Sequence, residues 1–306
     1  MDQQFLQVAA LLPGHLRRAM EAVPADRRRL AEELRLRTGY PPTITYPGGE
    51  QPLPGGGALR ITAEDLTQVL EIATNASVHT VLDQMRKGFI SVRGGHRMGL
   101  CGSCVMKGEG ITNLRQISSL SIRIARALPG LSARVLPALL EDGLLQSTLI
   151  LSPPGMGKTT LLRDLIRALS EGEGCPPLRV GVADERGELA AMWDGAPQMD
   201  LGCRTDVMDG CPKAAGLLML LRGMNPQVLA ADEITAPEDC RALCMAANCG
   251  VKLLATAHAE GAEALSARPL YRELLEQSVF RRLITIHSSE GLRRYEVTDY
   301  GVPQCR

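Results

Sequence analysis

The spacing of apolar residues changes character part-way along the chain. From Thr148 on, short apolar runs at 148–152, 179–184, 227–232, 251–257 and 283–287 alternate with longer amphipathic stretches. Uninterrupted apolar runs this short predict strands buried on both faces. The stretches between them predict helices over 159–170, 213–222, 236–247 and 260–277. Strands alternating with helices predict parallel βαβ units and an open, mainly parallel sheet covered on both sides. Residues 292–297 carry Arg293 and Arg294 within a strand-like run, which predicts a solvent-exposed edge strand.

The first 147 residues lack that alternation and read as mixed α+β. Apolar positions recur at helical spacing over 5–36, interrupted by Pro13 and Pro24. Thr62-Ala-Glu-Asp65 has the form of a capping box opening a helix to about Thr74. Residues 88–92 predict a strand, followed by a polar, glycine-rich loop over 94–99. Residues 119–128 mix Leu120, Ile122 and Ile124 with Arg123 and Arg126, a pattern that fits a strand or a short helix. Pro129-Gly130 and Glu141-Asp142-Gly143 punctuate the approach to the alternating region. The expectation is an α/β core domain over 141–306, preceded by a smaller α+β domain over 1–140.

Composition narrows the field. The 306 residues hold 34 Lys and Arg against 34 Asp and Glu. The first 147 residues carry 17 basic and 13 acidic side chains and the remainder 17 and 21. Neither half is basic enough to suggest a general nucleic-acid binder, and nine aromatic residues make a base-stacking platform a poor expectation. No apolar run approaches the roughly 18–20 residues that span a bilayer. Met1-Asp2-Gln3-Gln4 lacks the basic-then-apolar start of a signal peptide. The chain is therefore expected in the cytoplasm, meeting a membrane only through partners. Of the nine cysteines, Cys101 and Cys104 form half a zinc site with no second pair at suitable spacing. Cys240 and Cys244 suit buried thiols on one helix.

The chemistry concentrates in the alternating region. Leu149-Ile-Leu-Ser152-Pro153-Pro154-Gly155-Met156-Gly157-Lys158-Thr159-Thr160 runs from an apolar strand through a small-residue loop into a helix. A polyphosphate needs backbone N–H groups aimed at it, close backbone approach and a favourable helix dipole, and this segment supplies all three. Ser152 stands where a first glycine is usual; at a strand end the backbone demand is smaller than at Gly155 and Gly157. Residues 152–160 are the expected nucleotide site. Lys158 is expected on the β- and γ-phosphates and the Thr159 hydroxyl on Mg²⁺. Val228-Leu-Ala-Ala-Asp232-Glu233 ends a second strand in two carboxylates. One would hold Mg²⁺ and the other would orient and deprotonate water; Asp232 is assigned to the metal and Glu233 to the base, with the division between them open. Asp184-Glu185-Arg186-Gly187-Glu188 and His258 end two further runs. His258 is read as a γ-phosphate sensor or a helix cap, and Arg186 as a partner for Glu188.

In this order, the motifs resemble the ring-forming secretion and pilus ATPases of type II and type IV systems. There a phosphate loop is followed by an acidic box, here 184–188, a Walker B strand, here ending in Asp232 and Glu233, and a histidine box, here His258. That family often has glycine where Asp232 stands. Beyond the core, Glu33-Leu-Arg-Leu-Arg37, Gly94-Gly-His96-Arg97-Met-Gly99 and Ser121-Ile-Arg123-Ile-Ala-Arg126 resemble the stage III sporulation protein AA family over about residues 30–300. The resemblance implies a RecA-like P-loop core that uses ATP and Mg²⁺, with Lys158, Glu188, Glu233 and His258 in the catalytic set. It implies a ring of six copies on the mother-cell side of the mother-cell-to-forespore channel of endospore formation, docked to that channel's membrane proteins. In such a ring an arginine finger is expected, and Arg97, Arg115, Arg123, Arg126 and Arg204 are the candidates. A nucleotide-gated scaffold with little turnover and a nucleic-acid motor remain as alternatives.

Overall fold

The computed structural model describes residues 2–74, 85, 88–107, 110–126, 128–289 and 292–300. The chain folds as two compact units: residues 1–126 with 191–198, and residues 127–190 with 199–306.

The first unit opens with α1 (Asp2–Ala10), α2 (Gly14–Glu21) and α3 (Ala25–Arg28). Pro13 and Pro24 stand at the N-caps of α2 and α3, where a missing N–H costs nothing. There follow β1 (Glu33–Arg37), β2 (Thr43–Tyr46), β3 (Gly49–Pro52), α4 (Ala63–Ala73), β4 (Phe89–Val92), β5 (His96–Lys107) and β6 (Gly110–Arg123). The expected capping box is present: the Thr62 hydroxyl accepts from the Asp65 N–H at 3.1 Å and the Asp65 carboxylate accepts from the Thr62 N–H at 2.8 Å. Among the described residues the strands form an antiparallel sheet in the order β3-β2-β1-β6-β5-β4. Leu34 lies opposite Ile44 and Ile122, and Leu100 opposite Leu120. These side chains, with Phe5, Leu16, Met20, Leu66 and Val69 from the helices, make one core.

Three expectations for this unit change. The helical spacing over 5–36 ends at Arg28, and Glu33–Arg37 is a strand. Its Leu34 and Leu36 alternate with Glu33, Arg35 and Arg37, and pairing on both sides settles a short pattern that either period fits. The loop expected over 94–99 is only a turn, because His96 already pairs with Val92. Residues 119–123 belong to β6, which resolves the open choice there as a strand.

The second unit begins with a 3₁₀ turn (Ser132–Arg134), α5 (Leu136–Leu139) and a small hairpin of β7 (Leu140–Glu141) and β8 (Leu144–Leu145). The alternating region follows as β9 (Thr148–Leu151), α6 (Lys158–Glu171), β10 (Val180–Asp184), β11 (Thr205–Asp209), α7 (Lys213–Gly223), β12 (Val228–Ala231), α8 (Pro237–Asn248) and β13 (Lys252–Ala257). It closes with α9 (Ala262–Ser266), a 3₁₀ turn (Pro269–Tyr271), α10 (Arg272–Glu276), β14 (Arg282–Ser289) and β15 (Leu292–Asp299). The sheet order is β11-β10-β12-β13-β9-β14-β15, parallel throughout except for β15, the antiparallel edge strand expected from its arginines. Every residue of β9, β10 and β12 is buried, as the continuous apolar runs required.

Two features of this unit escaped the pattern. The single helix expected over 260–277 is broken into α9, a 3₁₀ turn and α10, because Pro269 has no N–H to continue the ladder. β11 had no continuous apolar run to announce it, since as an edge strand it is only half-buried and includes Asp206 and Asp209. Among the described residues no helix is long and apolar enough to cross a membrane.

His96 gives the first unit a pH signature. It is fully buried, its Nδ1 accepts from the Ala125 N–H at 3.0 Å, and its Nε2 has no partner. Burial without a counter-charge pushes its pKa down to about 4. The unfolded chain, with histidine near 6.5, then binds more protons than the folded chain between these values. Stability is expected to fall from about pH 6.5 towards pH 4 and to lose no more to this group below that, by roughly 3 kcal/mol in all. The check is urea denaturation across that range: a His96→Gln difference curve that stays flat would refute the assignment.

Candidate functional site

Parallel register decides what meets at the site. Leu151 lies beside Ala257, Ala255 beside Ala231, and Ala231 beside Ala183. The C-terminal ends of β9, β13, β12 and β10 therefore line up along one edge of the sheet. In an open α/β sheet that edge is where ligands bind, at the point where chain order and strand order part. β13 stands between β12 and β9, so residues 256–258 fall between the 152–160 loop and the acids at 232 and 233.

Gly155 (φ 76°) and Gly157 (φ 91°) carry the loop from Leu151 into α6 in left-handed backbone, which a side chain would strain. The first residues of α6, Lys158 to Thr160, precede the first helical hydrogen bond, from the Leu161 N–H to the Gly157 carbonyl. Their amides point out of the helix start. Lys158 is only 6% exposed. Its Nζ donates to the Ser152 carbonyl (2.8 Å), the Ser152 Oγ (3.2 Å) and the Pro153 carbonyl (3.0 Å), and lies 2.9 Å from His258 Nδ1. Burial pulls its pKa down, against the charges of Asp232 and Glu233, which push it up.

Asp232 ties three strand ends together. Its Oδ2 accepts from the Thr159 hydroxyl at 2.6 Å and its Oδ1 from the Thr256 hydroxyl at 2.5 Å. The Thr256 Oγ1 in turn accepts from the Glu233 N–H at 2.8 Å. Glu233 itself is held in left-handed backbone (φ 55°), which costs a non-glycine residue about 1–2 kcal/mol. Its N–H on Thr256 and its carbonyl on Lys213 Nζ, at 2.6 Å, fix that conformation. Lys213 is itself buried against Asp239 at 3.3 Å, with Glu185 at 3.6 Å.

The Glu233 carboxylate faces two bases. Oε1 lies 3.1 Å from His258 Nε2, and Oε2 pairs with Arg186. His258 thus bridges Lys158 and Glu233 with its two ring nitrogens, and Arg186 reaches Glu233 rather than Glu188. The acidic 184–188 segment is shaped by Asp184, whose buried carboxylate accepts from the N–H groups of Glu188, Leu189 and Ala190. Burial raises its pKa in spite of those bonds. Arg163 of α6 donates to the Glu188 and Leu189 carbonyls, so Glu188 is anchored through its backbone on both sides.

The structure thus brings Lys158, Thr159, Asp232, Glu233 and His258 together, with Glu188 on the loop beside them. The arginine candidates divide between the two units. Arg204 donates to the Ser170 carbonyl at the far end of α6. Arg126 donates to the Ala31 carbonyl, Arg97 stacks 3.7 Å from the centre of the Phe89 ring, Arg123 pairs opposite Arg97 on the sheet, and Arg115 is exposed, all in the first unit. The cysteine candidates separate too: Cys101 and Cys104 are exposed thiols, Cys240 and Cys244 buried ones. Thr256 and Lys213 went unassigned in the sequence, and Arg186, expected on Glu188, pairs with Glu233. Thr256 left a signal, as the polar residue inside the apolar run 253–257, and so did Lys213, as the cation opening an apolar helix.

The residues fit a hydrated cation. Among the described residues no cluster of three His, Cys, Asp or Glu side chains is arranged to hold a metal. The Thr159 hydroxyl and the Asp232 carboxylate instead offer two oxygens, which suits Mg²⁺ taking its other ligands from phosphate and water.

The description "Sporulation stage III, protein AA" fits residues 2–295. The chain belongs to that family. It is 38% identical over 286 residues to Stage III sporulation protein AA of Bacillus subtilis (strain 168), covering 93% of this chain and 92% of the relative. Its fold is that of the Legionella pneumophila ATPase DotB (17% identity, 94% of this chain and 80% of that one, TM-score 0.59). It is also that of the pilus retraction motor PilT, solved with bound ADP (17% identity, 90% and 81%, TM-score 0.60).

Thr256→Val keeps the shape of the side chain and removes the hydroxyl. It leaves Asp232 Oδ1 and the Glu233 N–H without their partner, and should destabilise the second unit by about 1–3 kcal/mol. Urea unfolding measures this, and Thr256→Ser should restore most of the loss.

Proposed function

We propose that this chain binds ATP with Mg²⁺ on the 152–160 loop and hydrolyses it, as a secretion-type ATPase serving the mother-cell-to-forespore channel. The observation that carries the reading is the Thr159–Asp232 hydrogen bond, which couples the helix start after the 152–160 loop to an acid just past β12, with β13 between β12 and β9. Lys158, released from the loop carbonyls, would reach the β- and γ-phosphates. Thr159 and Asp232 would hold Mg²⁺, which supplies charge neutralisation on the phosphates. Glu233 would orient the attacking water and take its proton. Arg186 and His258 hold its carboxylate in place. His258 would pass the change at Lys158 to Glu233, and Glu188 would complete the polar wall.

The assay is phosphate release by the purified chain. Glu233→Gln is expected to slow it by about 10²–10⁴-fold, the usual contribution of a general base. Lys158→Ala should abolish ATP binding. An unchanged rate in the first variant would remove Glu233 from its role. Both Glu233 oxygens are engaged by bases, which is what favours the second reading, a nucleotide-gated scaffold. That reading expects ATP binding with negligible turnover in the wild type as well.

The assembly part of the proposal is a six-membered ring, outside the membrane on the mother-cell side, docked to the channel's membrane proteins. An arginine of one copy, from Arg97, Arg123, Arg126 or Arg204, would serve the ATP of the next. Family membership and the fold shared with DotB and PilT support it. Particle mass with and without ATP and Mg²⁺ tests it: growth to six copies is expected with both present, and a monomer in every condition would refute it.

A further inference from the structure

Arg293 presents a charge that the hydrolysis scheme does not use. It lies on β15, two strands away from β9 in the sheet order, yet its guanidinium rests against the phosphate loop. A Cβ placed on Gly157 would stand 2.6 Å from Arg293 Nη1, 3.1 Å from Cζ and 3.7 Å from Nε. Gly157 is needed for its left-handed backbone, and its bare Cα leaves the space in which this exposed guanidinium rests.

The electrostatics of that seat are one-sided. The guanidinium adjoins the start of α6, whose dipole is positive and whose first amides have no helical acceptor. Lys158, next in the chain, turns its own charge to the Ser152 and Pro153 carbonyls and His258. Among the described residues, no carboxylate, carbonyl or hydroxyl accepts a hydrogen bond from Arg293. The acids of the site are committed elsewhere: Asp232 to Thr159 and Thr256, Glu233 to Arg186 and His258. On its own strand, Glu296 faces His287 at 3.1 Å. A guanidinium seated at a helix start, with no acceptor of its own, is an arrangement that a polyphosphate would complete. Guanidinium also matches phosphate geometry, with a planar fork that donates two parallel hydrogen bonds.

We propose that Arg293 is a phosphate-binding residue of the nucleotide site, contributed in cis by the C-terminal hairpin. The inference rests on the nucleotide reading given above and deepens it. It makes β15, the exposed edge of the sheet, part of the ligand cradle, so that phosphate contact reaches the hairpin directly. Arg294, the next residue, points to the opposite face of the strand by simple alternation and has no such part.

The test is equilibrium binding of a fluorescent ATP analogue to the full chain, with thermal melting to confirm that each variant is folded. Arg293→Gln should weaken binding by about 10- to 100-fold, the worth of hydrogen bonds to a charged group. Arg293→Lys should recover part of it, since it keeps the charge and loses the fork. Arg294→Gln should stay within about twofold of the wild type, because an exposed charge off the site acts only through screened solvent. If Arg293→Gln binds like the wild type while Lys158→Ala has lost binding, Arg293 is not a phosphate ligand and the nucleotide reading stands. If Arg293→Gln and Arg294→Gln weaken binding equally, the effect is general charge and the assignment fails. If the wild-type chain itself binds no nucleotide, the underlying reading fails and takes this one with it.

Discussion

Everything at the candidate site hangs on one carboxylate. Asp232 accepts a hydroxyl from the helix that follows β9 and another from the end of β13, while itself ending β12. Two hydroxyl bonds to an ionised acceptor are stronger than neutral ones, and in a partly dry setting they are short and directional. They align three segments far apart in the chain. The alignment then sets what Glu233 can do, since its N–H is held by the same Thr256.

Charge is distributed so that each acid has a base within reach, and most bases an acid. Glu233 meets Arg186 and His258, and Lys213 meets Asp239 and Glu185. The buried Lys213 also gives a donor to the Glu233 carbonyl. A left-handed glutamate held at both its N–H and its C=O marks backbone strain that surrounding structure has over-determined, and such strain gathers where geometry matters to function.

The parts of the fold that were legible are those whose pattern is long or unambiguous. The runs at 148–152, 179–184 and 227–232 are buried on both faces, so their apolar continuity survives as a signal. The Thr62 capping box is local, with every partner within three residues. Illegible parts have a common cause in short or split patterns. The Leu34 and Leu36 pair fits two periods until neighbours on both sides choose one. β11 is half-buried and mixed, and β6 needed β1 and β5 to become a strand.

The glycine-bearing loop at 152–160, its flanking strand and helix, and the acids after the later strands were readable from the chain alone. These depend on backbone freedom at Gly155 and Gly157, on a helix start, and on apolar runs, all properties of neighbouring residues. Only the tertiary structure decided that Thr256 would bridge Asp232 to Glu233, that Arg186 would choose Glu233 over Glu188, and that Arg293 would lie on Gly157. Those contacts depend on strand order. β13 comes to lie between β12 and β9 in parallel pairing, and β15 folds back antiparallel along β14. No local pattern encodes which strand ends will then stand side by side.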